Sequence, residues 1–139
     1  MILSPFRRLL LVACYLLLAV GLAVTALLPL LQGQAHAPLM DGVVNALLSA
    51  LGLLAVVGLF APVRLIPLLV FELLWKALWV ASVAIPRWVT GTLDADIQAT
   101  LFACAFAIPF AFIIPWGAWI ASLRSPGAAG VRLSEGADA

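Results

Sequence analysis

Glu72 and Lys76 are the residues of this chain best placed to do chemistry, because both fall inside the otherwise uncharged apolar run from Leu65 to Ile85. A carboxylate four residues before an ammonium is the favourable order for an ion pair on one helical face. Such a pair has three uses. It can lock a helix among its neighbours as a neutralised unit, it can anchor a hydrophobic or amphipathic ligand or a partner helix, or it can couple transport to protons if Glu72 changes protonation. Successive residues rotate by about 100°, so Leu65, Leu68, Leu69, Glu72, Lys76, Trp79 and Val83 share a face that Trp75 flanks. Trp79, one turn beyond Lys76, is placed to cover the ammonium by a cation–π contact. Tyr15, on the first apolar run, lies at a depth from which it can reach Glu72, whereas Asn45, Ser49, Thr100 and Cys104 lie on the Lys76 side. The expected ion-pair or ligand site is therefore Glu72, Lys76, Trp75, Trp79 and Tyr15, with no catalytic set, no metal ligands and no cofactor named by these residues.

Magnitudes decide which way the pair must face. A Lys side chain reaches roughly 6 Å and the nearest interface is about 15 Å away, so neither charge can snorkel to water. Each charge costs on the order of 3 kcal/mol at a helix centre, while some fifteen apolar residues return roughly 0.4 each, which leaves the helix marginal by itself. The pair must then face other helices, a water-filled cavity or a partner subunit.

The elements that hold it are set by composition. Of 139 residues, 66% are hydrophobic and 9% charged, far below the roughly 25% charged of soluble domains, so lipid is the expected solvent. A net charge of +1 supplies no basic surface for nucleic acid. Cys14 and Cys104 sit within apolar runs and read as small buried hydrophobes rather than a disulfide framework. Leu11-Val12-Ala13-Cys14 resembles a lipoprotein processing box, but it stands too close to Arg8 for a signal-peptide core of about 7–15 residues.

Four spans are expected, at about 9–31, 43–61, 65–85 and 97–123, followed by a disordered cytoplasmic tail over 124–139. The first run exceeds a signal-peptide core in length, so it is expected to remain as a span despite the small-x-small pattern at Ala35-His36-Ala37. Pro62-Val63-Arg64 is so short a connection that the second and third spans should be antiparallel neighbours. Pro86 should follow the end of the third span, and Asp94 or Asp96 should cap the helix that begins near Ile97. Arg7, Arg8, Arg64, Arg124 and Arg132 fall on one side and Arg87 on the other, so both termini are expected in the cytoplasm. Trp88, Trp116 and Trp119 suit an interfacial belt. The expectation is an all-α, antiparallel four-helix bundle, multi-pass in the inner (plasma) membrane, partnered by the bilayer and by a membrane subunit or a second copy.

Close packing is expected along Ala99, Ala103, Ala107 and Ala111, with weaker strips at Ala19 and Ala23 and at Ser49 and Gly52. Pro109 and Pro115 should kink the fourth span and free the carbonyls of Ala105 and Ala111 to accept from a neighbour. Glycine-rich phosphate loops, paired cysteines, HExxH and GxSxG are missing. His36 and Met40 would share a face only in a helical loop, and one His without matching ligands reads as an ordinary loop residue. The two halves show no convincing repeat, since the charged third span has no counterpart in the first.

The segment Pro62-Val63-Arg64-Leu65-Ile66-Pro67-Leu68-Leu69-Val70-Phe71-Glu72-Leu73-Leu74-Trp75-Lys76 resembles small uncharacterised four-helix membrane proteins of bacteria, a likeness that implies no activity. The glycine and glutamate pattern of small multidrug resistance transporters is lacking, because the glutamate is in the third span rather than the first. A small non-enzymatic membrane protein is the expected function, with a proton-coupled transporter using Glu72 as the alternative.

Overall fold

A computed structural model describes residues 4–33 and 38–124. The described residues are helical, with no strand: α1 (Pro5–Leu31), α2 (Leu39–Phe60), α3 (Ile66–Val89), α4 (Ala95–Ile113) and α5 (Trp116–Arg124). The first four are long and apolar enough to cross a membrane. Ser4 caps α1 by accepting from the Arg7 N–H with Pro5 following, and Asp94 caps α4 by accepting from the Ile97 N–H at 2.9 Å, as expected of that residue. His36 and the segment 125–139 lie outside the described residues.

Small residues set the closest helix contact, and they do so between α1 and α2. A Cβ added to Gly58 would stand 2.5 Å from Tyr15 Cδ1, and one added to Gly52 would stand 3.1 Å from Leu22 Cβ. Contact thus descends α2 as it climbs α1, which makes the pair antiparallel. Ser49, Gly52, Ala55 and Gly58 form the buried seam on α2, facing Tyr15, Ala19 and Leu22. The strip expected on α4 behaves differently: Ala99 and Ala103 are exposed, and Ala107 alone is fully packed. α2 packs far more extensively on α1 than on α3. The core consists of Leu11, Tyr15, Leu18 and Leu22 of α1 against Ile66 and Leu69 of α3 and Ala107, Phe110 and Ile114 at the end of α4.

Prolines explain where the helices depart from regularity. Pro29 and Pro86 lie inside α1 and α3, and each is preceded by a five-residue π-turn, Ala23–Leu27 and Val80–Ala84. A proline removes an N–H and crowds the carbonyl four residues back, here that of Thr25 or Ser82. Widening the turn relieves the clash: the Leu28 N–H reaches back to the Ala23 carbonyl and the Ile85 N–H to that of Val80. The third helix therefore passes through Pro86 to Val89 instead of stopping at Ile85. At one constant offset Thr25 and Pro29 align with Ser82 and Pro86, so the same hydroxyl and proline spacing accompanies the π-turn in α1 and in α3.

The fourth apolar run is divided. With no N–H at Pro109, α4 tightens at Phe106 and Ala107, where the Ala107 N–H bonds to Cys104 and the Phe110 N–H to Ala107. Pro115 ends the helix, and the carbonyl it frees at Ala111 accepts from the Trp116 indole at 2.7 Å. The freed carbonyl thus gains the outside donor expected of it, from a tryptophan expected only as a belt residue.

Candidate functional site

Glu72 is the one charged side chain among the described residues that is fully buried, at 0% exposed. Both of its oxygens are used. Lys76 Nζ donates to Oε1 from one turn along α3, and Trp75 Nε1 donates to Oε2 at 2.7 Å. A cationic and a neutral donor thus occupy separate oxygens of the carboxylate, both supplied from its own helix.

Lys76 is the half of the pair that meets open space. Its side chain is 15% exposed, and its ammonium stands 5.2 Å from the Trp75 ring centroid. Trp75, not Trp79, therefore supplies the aromatic neighbour. At three residues from Glu72 and adjacent to Lys76, its large ring can fold back over both, while Trp79 is half-buried one turn further on. An ammonium has three donors. Glu72 takes one, and among the described residues no second hydrogen-bond acceptor lies within reach of Nζ.

Tyr15 is also placed differently from expectation. Its ring is fully buried against Gly58, and its hydroxyl donates to the Pro62 carbonyl at 3.0 Å, closing the connection between α2 and α3 onto α1. The ring is drawn toward the α2 seam because only glycine leaves room for it there, so the hydroxyl ends at the connection rather than at Glu72. Ser49 and Thr100 return their hydroxyls to carbonyls four residues back in their own helices, those of Asn45 and Asp96, and contribute nothing to the pair. Cys104, buried on α4, lies within electrostatic reach of both charges.

Between α1, α3 and α4 lies a cavity of about 350 Å³, with Glu72 and Lys76 in its wall. Phe102, Phe106 and Phe110 of α4 line one side and Leu18, Gly21 and Leu22 of α1 the other. Phe102 and Phe106 meet edge to face at 5.3 Å. Gly21, Thr25, Phe102 and Phe106 are exposed on the outer surface, so the cavity opens sideways between α1 and α4 rather than at a helix end. The Thr25 hydroxyl already donates to the Gly21 carbonyl at 2.8 Å, which leaves Lys76 as the free strong donor in the wall. The size, the apolar lining and the few convergent polar groups are those of a small-molecule site. The sequence reading missed Gly21, Phe102 and Phe106; the signal was the phenylalanine spacing of four along α4, which charge-based reasoning passes over.

No protein-family model, curated protein or solved structure matches this chain.

Proposed function

We propose that this is a non-enzymatic, multi-pass protein of the inner membrane, with α1 to α4 as its crossings, both termini cytoplasmic, and a binding site for a hydrophobic or amphipathic molecule between α1, α3 and α4. The observation that carries the reading is the sideways-opening apolar cavity with an ammonium in its wall that has one of its three donors engaged. Membrane insertion is supported by the outward apolar faces: Phe60 and Phe112 are 81% and 80% exposed, and many further leucines, valines, isoleucines and phenylalanines are exposed along the helices. Patches beyond a few hundred Å² are not left to water. Orientation is supported by Arg7 and Arg8 at the start of α1 and Arg64 in the connection between α2 and α3, against Arg87 at the far end of α3, where Asp94 lies 3.5 Å from it.

In this reading the pair has two tasks. Glu72, sealed and doubly bonded, fixes the rotation of α3, while Lys76, near the midpoint of the helix, presents its remaining donors to the cavity. An open wall of Leu, Phe and Gly admits a molecule from the acyl-chain region. The test uses a protein whose only tryptophan is Trp75, reconstituted in bilayers and titrated with an alkylated bromobenzene as a heavy-atom quencher. Saturable quenching that Gly21→Phe abolishes supports the site, because nothing lies within 4 Å of a Cβ at Gly21 and a larger side chain there fills the mouth without touching the pair. Quenching that rises only in proportion to quencher, alike in both proteins, refutes it.

A further inference from the structure

We infer that the cavity selects a neutral lipid-soluble molecule whose ring-sized head carries a carbonyl acceptor, the chemistry of an alkylated quinone or aryl ketone, and that Lys76 is the group that recognises it. This rests on the binding-site reading above and narrows it to a ligand class.

Volume limits what can enter. A space of about 350 Å³ takes a substituted ring but not a long acyl chain, so a tail must leave through the opening beside Gly21 and Phe106 into the surrounding apolar phase. The wall favours flatness. Phe102, Phe106 and Phe110 recur at every fourth residue of α4 on the cavity side, and Phe102 already meets Phe106 edge to face, the geometry that a further ring extends.

Polarity of the head follows from what is unpaired. The wall's free charged group is a donor: Glu72 is sealed and turned to Lys76 and Trp75, the Thr25 hydroxyl donates to the Gly21 carbonyl and keeps only a neutral acceptor oxygen, and the Lys76 ammonium holds one partner for three N–H groups. A head group that donates finds only the neutral Thr25 oxygen, whereas an acceptor finds a charged donor, the stronger of the two bonds. Net charge separates the two kinds of acceptor. Lys76 is already neutralised by Glu72 one bond away, so a carboxylate entering the cavity brings a second negative charge to a single positive one and must also be desolvated. A ketone or quinone oxygen gains a charge-assisted hydrogen bond and carries no ion into the cavity. Its placement against the partly accessible Lys76, with Glu72 sealed behind, is what the geometry provides.

Three compounds differing only in the head test this, each displacing the bromobenzene quencher from the single-Trp75 protein at equal membrane concentration: an alkyl phenyl ketone, the matching alkylbenzene and the matching alkyl benzoate at neutral pH. The ketone should displace at least tenfold more strongly than the other two. In Glu72→Gln/Lys76→Met, which removes both charges and leaves no unpaired ion if the fold is kept, the ketone should fall to the level of the alkylbenzene, while Phe60→Leu, at an exposed position of α2 outside the cavity lining, should keep the full preference. Equal displacement by ketone and alkylbenzene in the unmodified protein overturns the head-group assignment but leaves the cavity as a binding site. Strongest displacement by benzoate overturns it in favour of an anion. A ketone preference that survives the double substitution overturns the role of Lys76, and absence of saturable quenching by any compound overturns the binding-site reading itself.

Discussion

Removing Lys76 should injure this protein far more than removing Lys76 and Glu72 together. In Lys76→Met the carboxylate of Glu72 keeps only the Trp75 indole as partner while remaining fully buried. Breaking a buried pair from one side costs about 3–5 kcal/mol, because the remaining charge is stranded. Glu72→Gln is milder, about 1–3 kcal/mol, since the amide oxygen still accepts from one donor and Lys76 retains its opening onto the cavity. In the double variant the amide oxygen that replaces the carboxylate accepts from Trp75 and no ion is buried, so stability should return to within about 1–2 kcal/mol of the parent. The cycle then yields a coupling of about 4 kcal/mol, above the roughly 0.5–3 kcal/mol usual for contacting residues. Reversible unfolding in mixed detergent and denaturing micelles, followed by circular dichroism, measures all four proteins. Additive single effects, or a Lys76→Met protein within about 0.5 kcal/mol of the parent, would refute the claim that Glu72 is sealed and dependent on its partner.

Other consequences concern the scaffold. Gly58→Leu should cost more than the roughly 1–3 kcal/mol typical of an overpacked core, because its Cβ alone would overlap the Tyr15 ring, whereas Gly21→Ala should be neutral or slightly stabilising; the same unfolding assay separates them. Tyr15→Phe should lose about 1 kcal/mol, the worth of the hydrogen bond to the buried Pro62 carbonyl, with no change in ligand binding if Tyr15 serves the connection and not the site. Trp116→Phe should leave the Ala111 carbonyl unpaired and speed amide hydrogen exchange around Pro115. In a protein freed of Cys14 and Cys104, Arg64→Cys should react with an impermeant thiol reagent only from the cytoplasmic side, and Thr92→Cys only from the other; reaction of both from one side refutes the orientation.

The helical content and the presence of four long apolar helices were legible because long apolar runs have one solution, though the fourth stops at Ile113 instead of running on to 123, and Asp94 as a cap was legible because its geometry is local. The burial of Glu72 followed from cost alone, since a charge inside a long apolar run is expensive unless it is enclosed and paired. The partners did not follow. Trp75 and Trp79 are both within reach of Lys76 on a helical wheel, and the indole position that selects Trp75 depends on rotamers that spacing does not encode. Depth alone assigns Tyr15 to the pair, but the space left by Gly58 on another helix directs its ring elsewhere. The alanine strip on α4 misled because small residues permit close approach without requiring it, and α2 has both small residues and a facing ring. Pro86 reads as a stop because an isolated proline breaks an α-helix; the preceding π-turn, repeated before Pro29, lets the helix continue. The cavity was invisible because no single residue announces it.

Lys76 is the sole lysine of the chain, so protein labelled with 15N at lysine Nζ gives one side-chain ammonium signal. In lipid nanodiscs this signal should be visible at neutral pH through slow exchange with water, should show a nuclear Overhauser contact to the Trp75 indole proton, and should shift in Glu72→Gln. An ammonium exchanging too fast to observe, or one whose shift is the same in both proteins, would mean that Lys76 reaches water or lipid on its own and that the sealed pair does not exist.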